Sequence, residues 1–140
     1  MTEINKFVVV VKGIVFNEGK ILIVQRSHDD EIGGGTWECV GGEVDFGEDL
    51  EGALVREFIE EVGLNVTVLK LLYATTFKVT PTRQVVILTY LCRSKDCNLV
   101  LSKEHIDYRW STKEQSEFLL TPEIISDFKK NNVFSMNEWR

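Results

Sequence analysis

The sequence predicts an α/β fold, an αβα sandwich in which a central mixed β-sheet lies between helices. Three observations lead to this prediction. Strand-like segments, rich in β-branched and apolar residues, lie on both sides of a central amphipathic segment, residues 49–62. A second amphipathic segment, 121–131, comes near the end of the chain. Helices in these positions would cover the two faces of one sheet, and 140 residues without an evident break are expected to form one domain spanning 1–140.

The first third of the chain predicts strands and a glycine-rich loop. Residues 7–12, 13–16 and 21–25 are apolar and β-branched, and residues 17–20 between the last two have the composition of a turn, so a hairpin is expected. Residues 28–35 contain three consecutive glycines and are expected to form a loop. Such a run can cradle a phosphate, but without a following P-loop lysine it more often marks mobility.

The boundaries of the central helix are predicted by its flanking glycines. A short strand over 37–40 should lead to Gly41 and Gly42 and then to a loop that enters the helix. Gly47 is the expected N-cap, because the two acids after it suit the helix dipole. Gly63 stands where a left-handed C-cap is wanted.

The second half of the chain predicts a strand pair and a terminal helix. Residues 65–79 and 85–92 are β-rich, are separated by a break near Pro81, and should pair as neighbours. Thr121 is a good N-cap for the terminal helix, with proline at its first position. Three shorter elements are expected between them: a strand over 99–101, a strand beginning at 109–110 and a helical turn over 112–118.

Composition and charge exclude several classes of partner. A net charge of −6 argues against a nucleic-acid polymer, because binding a phosphate backbone normally requires clustered Lys and Arg. It does not exclude a small phosphorylated ligand, since a bound divalent ion reverses the local electrostatics. The longest apolar runs, such as 7–11, are too short to cross a bilayer, so no membrane partner is expected.

The cellular setting is predicted from the beginning of the sequence and from its cysteines. Residues 1–6 lack the basic start and long apolar stretch of an export signal, which indicates a cytoplasmic protein. The odd number of cysteines argues against a complete set of disulfides, so reduced thiols are expected at Cys39, Cys92 and Cys97.

The central segment carries an acidic face. At about 100° per residue, Glu57, Glu60 and Glu61 fall within an arc of roughly 100°. Like charges three and four residues apart destabilise a helix. Most glutamates on a polar helix face are simply solvated, but a hard metal ion would give this cluster a purpose. The apolar residues expected on the opposite side are Val55, Phe58, Ile59 and Val62.

The same segment fits a spaced pattern, G-x5-E-x7-R-E-U-x-E-E-x-G-U, in which U is apolar. The matching residues are Gly42, Glu48, Arg56, Glu57, Phe58, Glu60, Glu61, Gly63 and Leu64. The stretch resembles the signature of the Nudix hydrolases, MutT-like enzymes that cleave a nucleoside diphosphate linked to another group. Trp37-Glu38 and 108–111 also look like the family, whereas Val40 stands where many members have proline. The resemblance implies the same αβα sandwich.

The resemblance also implies a metal site. Glu57, Glu60 and Glu61 would be ligands of Mg²⁺, with Mn²⁺ as an alternative, and a carbonyl of Gly41 or Gly42 would add a backbone oxygen. We expect Glu57 and Glu61 to bind the metal most directly, and Glu60 to bind a second ion or its water.

The supporting groups and the general base are less closely defined. By resemblance Arg56 orients a catalytic glutamate, a role favoured over direct phosphate binding, with a surface ion pair as the alternative, and Glu48 would hold the loop or Arg56 in place. The base is either a glutamate of the signature or Glu104, which would otherwise be a solvated loop residue. His105, expected to be exposed, is a rival.

The expected activity is Mg²⁺-dependent pyrophosphohydrolysis of a nucleoside triphosphate or other nucleoside diphosphate derivative. The alternatives are an ADP-ribose or dinucleoside polyphosphate hydrolase, to which Pro81 gives a hint, a catalytically silent nucleotide-binding module, and an acidic structural domain. The partner would be a small nucleotide, bound by a monomer or a homodimer. Candidates for phosphate contacts or base stacking, each of which also fits core or surface, are Arg26, Lys78, Arg83, Arg109, Trp37, Phe77, Tyr73 and Tyr108.

Overall fold

The central feature of the protein is one mixed sheet, seen in a computed structural model that describes residues 4–140. Part of the expectation drawn from residues 1–6 therefore lies outside the described residues. The strands are β1 (Lys6–Asn17), β2 (Lys20–Arg26), β3 (Trp37–Glu38), β4 (Val40–Glu43), β5 (Val66–Thr80), β6 (Arg83–Ser94) and β7 (His105–Ser111). The helices are α1 (Leu50–Val62), α2 (Lys113–Leu119) and α3 (Pro122–Lys130), followed by a 3-10 turn, Val133–Ser135.

Strand β1 organises the sheet. The strand order is β3-β2-β1-β6-β5, while β4 pairs with β1 and β7 pairs with β2. The β1–β6 pair is parallel, with Val8 opposite Val85 and Val15 opposite Cys92, and the other pairs are antiparallel. The predicted neighbours β5 and β6 do pair. The mixed sheet that the sequence predicts is thus confirmed.

Each face of the sheet carries its own core. Helix α1 packs on one face, where its buried residues meet Val11, Val15 and Tyr90 of the sheet. Helix α3 packs on the other face, where Phe128 joins Ile14, Ile23 and the C-terminal Trp139. Alternate residues of β1 thus point to different cores, as the period of a strand requires. The two layers confirm the αβα sandwich.

The N-cap of helix α1 lies two residues later than predicted. It is Asp49, not Gly47, because the Asp49 carboxylate accepts a hydrogen bond from the backbone of Gly52. The C-cap prediction is confirmed: Gly63 has φ 66°, and its N–H bonds the carbonyl of Ile59. Ile59 is half exposed rather than buried, because Ala53 and Leu54 direct the buried face away from it.

The expected strand over 99–101 is wrong, and hydrogen bonding to α1 explains the difference. The N–H of Val100 bonds the carbonyl of Val62 at 3.0 Å, and the N–H of Ser102 bonds the carbonyl of Glu61 at 2.8 Å. The segment satisfies helix-end carbonyls that would otherwise have no intrahelical partner. It therefore follows the end of α1 instead of joining the sheet.

Other boundaries differ in extent only. The two expected strands 7–12 and 13–16 form one strand, β1, and the turn at Glu18-Gly19 joins it to β2 as predicted. The glycines Gly41 and Gly42, which were expected to follow a strand over 37–40, lie within strand β4. The helical turn and the terminal helix are confirmed as α2 and α3, with Thr121 as the α3 N-cap. None of the helices over residues 4–140 is both long enough and apolar enough to cross a membrane.

Candidate active site

A cavity of about 860 Å³ lies beside α1 and collects most of the predicted site residues. Glu57 and Glu61 enter it from α1, Gly41 and Gly42 from β4, and Glu104 from the segment before β7. Glu60 and Arg56 are outside its lining, and Glu60 is exposed. The acidic face of α1 is therefore divided between a cavity wall and the surface.

Arg56 is the hub of an ion-pair network beside the cavity. Its Nε and Nη2 donate to the two carboxylate oxygens of Glu48 at 2.7 and 2.8 Å, which is a bidentate pair. Its Nη1 donates to Glu57 at 3.0 Å and to Glu60 at 3.1 Å, and Nη2 also reaches the carbonyl of Glu43. The predicted link between Arg56 and Glu48 is present, and the contact with Glu57 joins Arg56 to the cavity wall.

The bond to Arg56 also controls the ionisation of Glu48. It lowers the pKa of the Glu48 carboxyl to about 2, with help from the Asp45 N–H, which donates to the same carboxylate. In return, the hydrogen bonds to Glu48 are the largest cause of a raised pKa at Arg56. The pair thus remains charged over the whole physiological range and joins the loop before α1 to the helix.

Gly42 gives the Glu57 carboxylate its place. A Cβ added to Gly42 would lie about 2.5 Å from the carboxylate carbon and from one of its oxygens. Only glycine therefore lets the carboxylate lie against the backbone of β4. Burial raises the pKa of Glu57, although the charge of Arg56 opposes this effect.

Glu61 is the most perturbed carboxyl of the cavity. Burial raises its pKa to about 9, the nearby Glu57 and Glu104 add to the shift, and only Lys12 opposes it. Its Oε2 is buried and makes no hydrogen bond among the described residues. An orphaned buried acceptor beside a second buried carboxyl is a site that a divalent cation would stabilise.

The carboxylates do not form a preassembled cage. Over residues 4–140, no group of three or more His, Cys, Asp or Glu side chains is already arranged to hold a metal ion. Arg56 is hydrogen-bonded to one oxygen each of Glu57 and Glu60. The residues are nevertheless of the kind that binds a hard cation, since Glu57, Glu61 and the glycines of β4 line one cavity.

Glu104 and its neighbour His105 have separate surroundings. Glu104 lies close enough to Glu61 for its charge to contribute to the raised pKa of Glu61, so it lies within the acidic cluster. The expectation that His105 is exposed is wrong: the first residue of β7 is buried, and its Nε2 lies 3.2 Å from Oε2 of Glu38. Its ring is therefore held by a carboxylate on β3, where strand packing has covered it.

Glu38 is a site residue that sequence reasoning missed. It is hydrogen-bonded by His105, by Arg26 at 3.2 Å and by Lys12 at 3.4 Å. Burial alone would raise its pKa, but Lys12, His105 and Arg26 together lower it to about 2. The available signal was a lone acid in a short strand between Trp37 and Cys39, where a solvated side chain is not expected.

We expect Glu38→Gln to be less stable than wild type at neutral pH and equally stable in strong acid. The folded-state pKa of about 2 lies below the ordinary 4.5, so the carboxylate stabilises the fold above about pH 4.5. This contribution is lost as the pH falls through the folded-state value. The difference in unfolding free energy from wild type should be on the order of 2 kcal/mol at neutral pH and vanish near pH 2.

Urea unfolding at a series of pH values measures that difference. Glu114→Gln, which removes an exposed acid from α2, is the matched control and should show little change. A Glu38→Gln deficit that stays constant from neutral pH to strong acid would mean that the effect comes from packing rather than from charge.

A second, largely apolar cavity of about 480 Å³ adjoins the first. Trp37, Tyr73, Phe77 and Phe128 contribute aromatic surface, and Asp127 adds a carboxylate from α3. Three of the predicted stacking residues are thus in one place. Its size and lining are those of a pocket for a small organic ligand.

The predicted phosphate-binding cations are scattered. Arg26 lines both cavities, and Arg83 lines the larger one, where it pairs with Glu43 at 2.8 Å. Lys78 instead lines a separate cleft of about 140 Å³ with Pro81. Arg109 lies over the ring of Trp37, with its guanidinium carbon 5.9 Å from the centroid. The four cations therefore do not form one phosphate site.

Comparison with known proteins assigns a class to this fold and its glutamate-lined cavity. A family model described as the NUDIX domain matches residues 6–129. The CTP pyrophosphohydrolase of Escherichia coli (strain K12) is 43% identical over 63 residues, 45% of this chain and 46% of that protein. The nucleoside triphosphatase NudI of Enterobacter sp. (strain 638) is 30% identical over 115 residues, 75% of this chain and 82% of that protein.

A solved structure agrees in fold. The MutT protein from Methanosarcina mazei Go1 superposes with a TM-score of 0.84 and 22% identity, covering 97% of this chain and 100% of that one. The chain belongs to the NUDIX family of hydrolases, the class of enzymes that cleave phosphorus-containing anhydrides. Its match to the E. coli CTP pyrophosphohydrolase spans less than half the length of that relative.

Proposed function

We propose that this protein is a pyrophosphohydrolase that depends on Mg²⁺ or Mn²⁺ and cleaves a phosphoanhydride bond of a nucleoside triphosphate or other nucleoside diphosphate derivative. The observation that carries the proposal is the pair Glu57 and Glu61, two buried carboxyls one helical turn apart that line one cavity. The unpartnered oxygen of Glu61 offers a ligand atom. When bound there, a divalent ion would neutralise phosphate charge and make a water nucleophilic.

The roles of the individual residues follow from their contacts. Glu57, Glu61 and a carbonyl of Gly41 or Gly42 would be the direct ligands, because they line the cavity. Glu60 would bind a second ion or its water from the rim, where it is exposed. Arg56 orients Glu57 through the hydrogen bond between them.

We assign the role of general base to Glu104. It lies in the same cavity as the proposed ligands and close to Glu61, so a water held by the metal site would be within its reach. His105, the rival, is buried and paired with Glu38, which favours a structural role for its ring.

The substrate class rests on the adjoining apolar cavity. Its volume of about 480 Å³ and its aromatic lining suit a nucleoside, while the carboxylate-lined cavity beside it suits the metal-bound phosphates. The relatives named for CTP and for nucleoside triphosphates support a triphosphate substrate. Pro81, which hinted at ADP-ribose, lies at the separate small cleft and adds no support for that alternative.

Three further properties remain predictions. The protein should act as a single domain, should be a monomer or a homodimer, and should work in the cytoplasm on a small nucleotide. A catalytically silent nucleotide-binding module is disfavoured, because every acid of the signature is present and three of them meet at Arg56.

The test is a substrate panel with and without added metal. We expect nucleoside triphosphates to be hydrolysed with Mg²⁺ or Mn²⁺ and not in EDTA, and ADP-ribose and dinucleoside polyphosphates to be poorer substrates. Running the same panel on Glu104→Gln across pH tests the base, because its loss should remove the pH dependence that this carboxylate contributes to kcat. Nucleotide binding without turnover of any member would favour the silent module.

A further inference from the structure

The boundary between the two cavities has a distinct composition. Six residues line both of them: Lys12, Arg26, Ile32, Glu38, Phe77 and Ile87. The charged members are two cations, Lys12 and Arg26, and one carboxylate, Glu38. The wall that faces the acidic cluster on one side and the apolar cavity on the other is thus suited to an anion.

Lys12 is held at this boundary with donor capacity to spare. It lies on β1 opposite Gly41 of β4, and its side chain is only 19% exposed. Its Nζ donates to the carbonyl of Cys39 at 3.2 Å and to Glu38 at 3.4 Å. Both bonds are long, and an ammonium group has three protons, so one donor remains for a ligand.

Strand β4 packs against the side chain of Lys12 and limits its conformation. A Cβ added to Gly41 would lie 2.8 Å from the Lys12 Cα and 2.9 Å from its Cδ. The glycine therefore allows β4 to lie directly against the alkyl chain. This packing keeps the ammonium near the boundary without a full set of polar partners.

Arg26, the second cation at this boundary, is paired with two carboxylates. Its Nη1 donates to both oxygens of Glu38, at 3.2 and 3.4 Å, and its Nε lies 3.3 Å from a carboxylate oxygen of Asp30. That Nε, although near Asp30, makes no hydrogen bond among the described residues, so Arg26 also keeps donor capacity for a ligand. Lys12 is paired with one carboxylate and Arg26 with two, so less negative charge lies against Lys12 than against Arg26.

We propose that Lys12 binds the phosphate attached directly to the nucleoside, with Arg26 beside it. This inference rests on the proposed function, because it assumes that the nucleoside occupies the apolar cavity and that the outer phosphates reach Glu57 and Glu61. A nucleotide laid across the two cavities has its 5′-phosphate between them, where Lys12 stands. Lys12 is thus a binding residue that distinguishes a nucleotide from a nucleoside.

The experiment compares nucleotides and nucleosides without metal. Calorimetry in EDTA measures the binding of AMP, CMP, GMP and UMP and of the four corresponding nucleosides to the full chain. Wild type should bind at least one monophosphate more tightly than its nucleoside. Lys12→Met should weaken the binding of that monophosphate by about tenfold or more, because a hydrogen bond to a charged group contributes a free energy of this size. The affinity for the nucleoside should be unchanged.

Two further variants make the result interpretable. Lys20→Met removes an exposed lysine from the start of β2 and should change neither affinity. Lys12→Arg keeps the charge and should retain most of the preference for the monophosphate. If Lys12→Met does not fold, Lys12→Gln, which keeps a donor for the Cys39 carbonyl, serves in its place.

Several outcomes would overturn the inference. They are an unchanged monophosphate affinity in the Lys12 variant, an equal loss for nucleoside and monophosphate, or no preference for any monophosphate in wild type. Failure of the proposed function would look different. In that case wild type would hydrolyse nothing with Mg²⁺ or Mn²⁺, while the Lys12-dependent preference for monophosphates could still be measured.

Discussion

Glu57→Gln is expected to lower kcat by about 10²–10³-fold while the protein stays folded. The substitution keeps the volume of the side chain but removes the charge that a divalent ion would need beside Gly42. Glu61→Gln should have an effect of the same size, because its unpartnered oxygen faces the same cavity. The measurement is kcat with saturating Mg²⁺, together with the melting temperature with and without metal.

A control on the same helix distinguishes the loss of a metal ligand from the loss of any negative charge on α1. Glu51→Gln removes an exposed carboxylate from the first turn of α1 and should leave kcat within a factor of about two. Metal should raise the melting temperature of wild type and of Glu51→Gln but not of Glu57→Gln. Near-normal turnover in both Glu57→Gln and Glu61→Gln would refute the assignment of these residues as ligands.

Arg56→Met is expected to lower kcat by about 10–100-fold, the usual range for a residue that orients a ligand. It removes the donor that holds Glu57 and leaves Glu48 without its bidentate partner. Arg56→Lys should restore little, because one ammonium group cannot reproduce the fork that bonds Glu48. The measurements are kcat, KM and the metal concentration for half-maximal activity.

Glu48→Gln tests whether Arg56 supports turnover by fixing the loop before α1 or by orienting Glu57. It weakens the link between the loop and α1 but leaves Arg56 in contact with Glu57. We expect Glu48→Gln to lower the melting temperature more than it lowers kcat, and Arg56→Met to lower both. If Arg56→Met costs stability alone, with kcat and metal dependence unchanged, Arg56 is only part of a surface ion-pair network.

The central helix and its signature could be predicted from sequence because their signals are local. The αL cap at Gly63 and the N-cap at Thr121 depend only on adjacent residues, and both are confirmed. The contacts of Arg56 with Glu60 and Glu48 follow from helix geometry and a short loop. A strong local pattern thus predicted the helix that presents the proposed metal ligands.

The rest of the site comes from long-range pairing, which no local pattern encodes. Glu38 and His105 are 67 residues apart and meet because β3 and β7 both pair with β2. In the sequence, Lys12 is a single charged residue in an apolar strand. Its position between the two cavities becomes evident only from the pairing of β1 with β4, which places it opposite Gly41. The error at 99–101 has the same origin, since those residues bond the end of α1 rather than a strand.

The attachment of residues 100–102 to α1 has a mechanical consequence. Ser102 lies only two residues before Glu104, and its N–H donates a hydrogen bond to the carbonyl of Glu61. Displacement of the last turn of α1 is therefore passed directly to the segment that carries Glu104. The carbonyl of Glu104 in turn accepts a hydrogen bond from the N–H of Ser27 at 3.1 Å, so residues 102–104 link the last turn of α1 to the end of β2 beside the cavity.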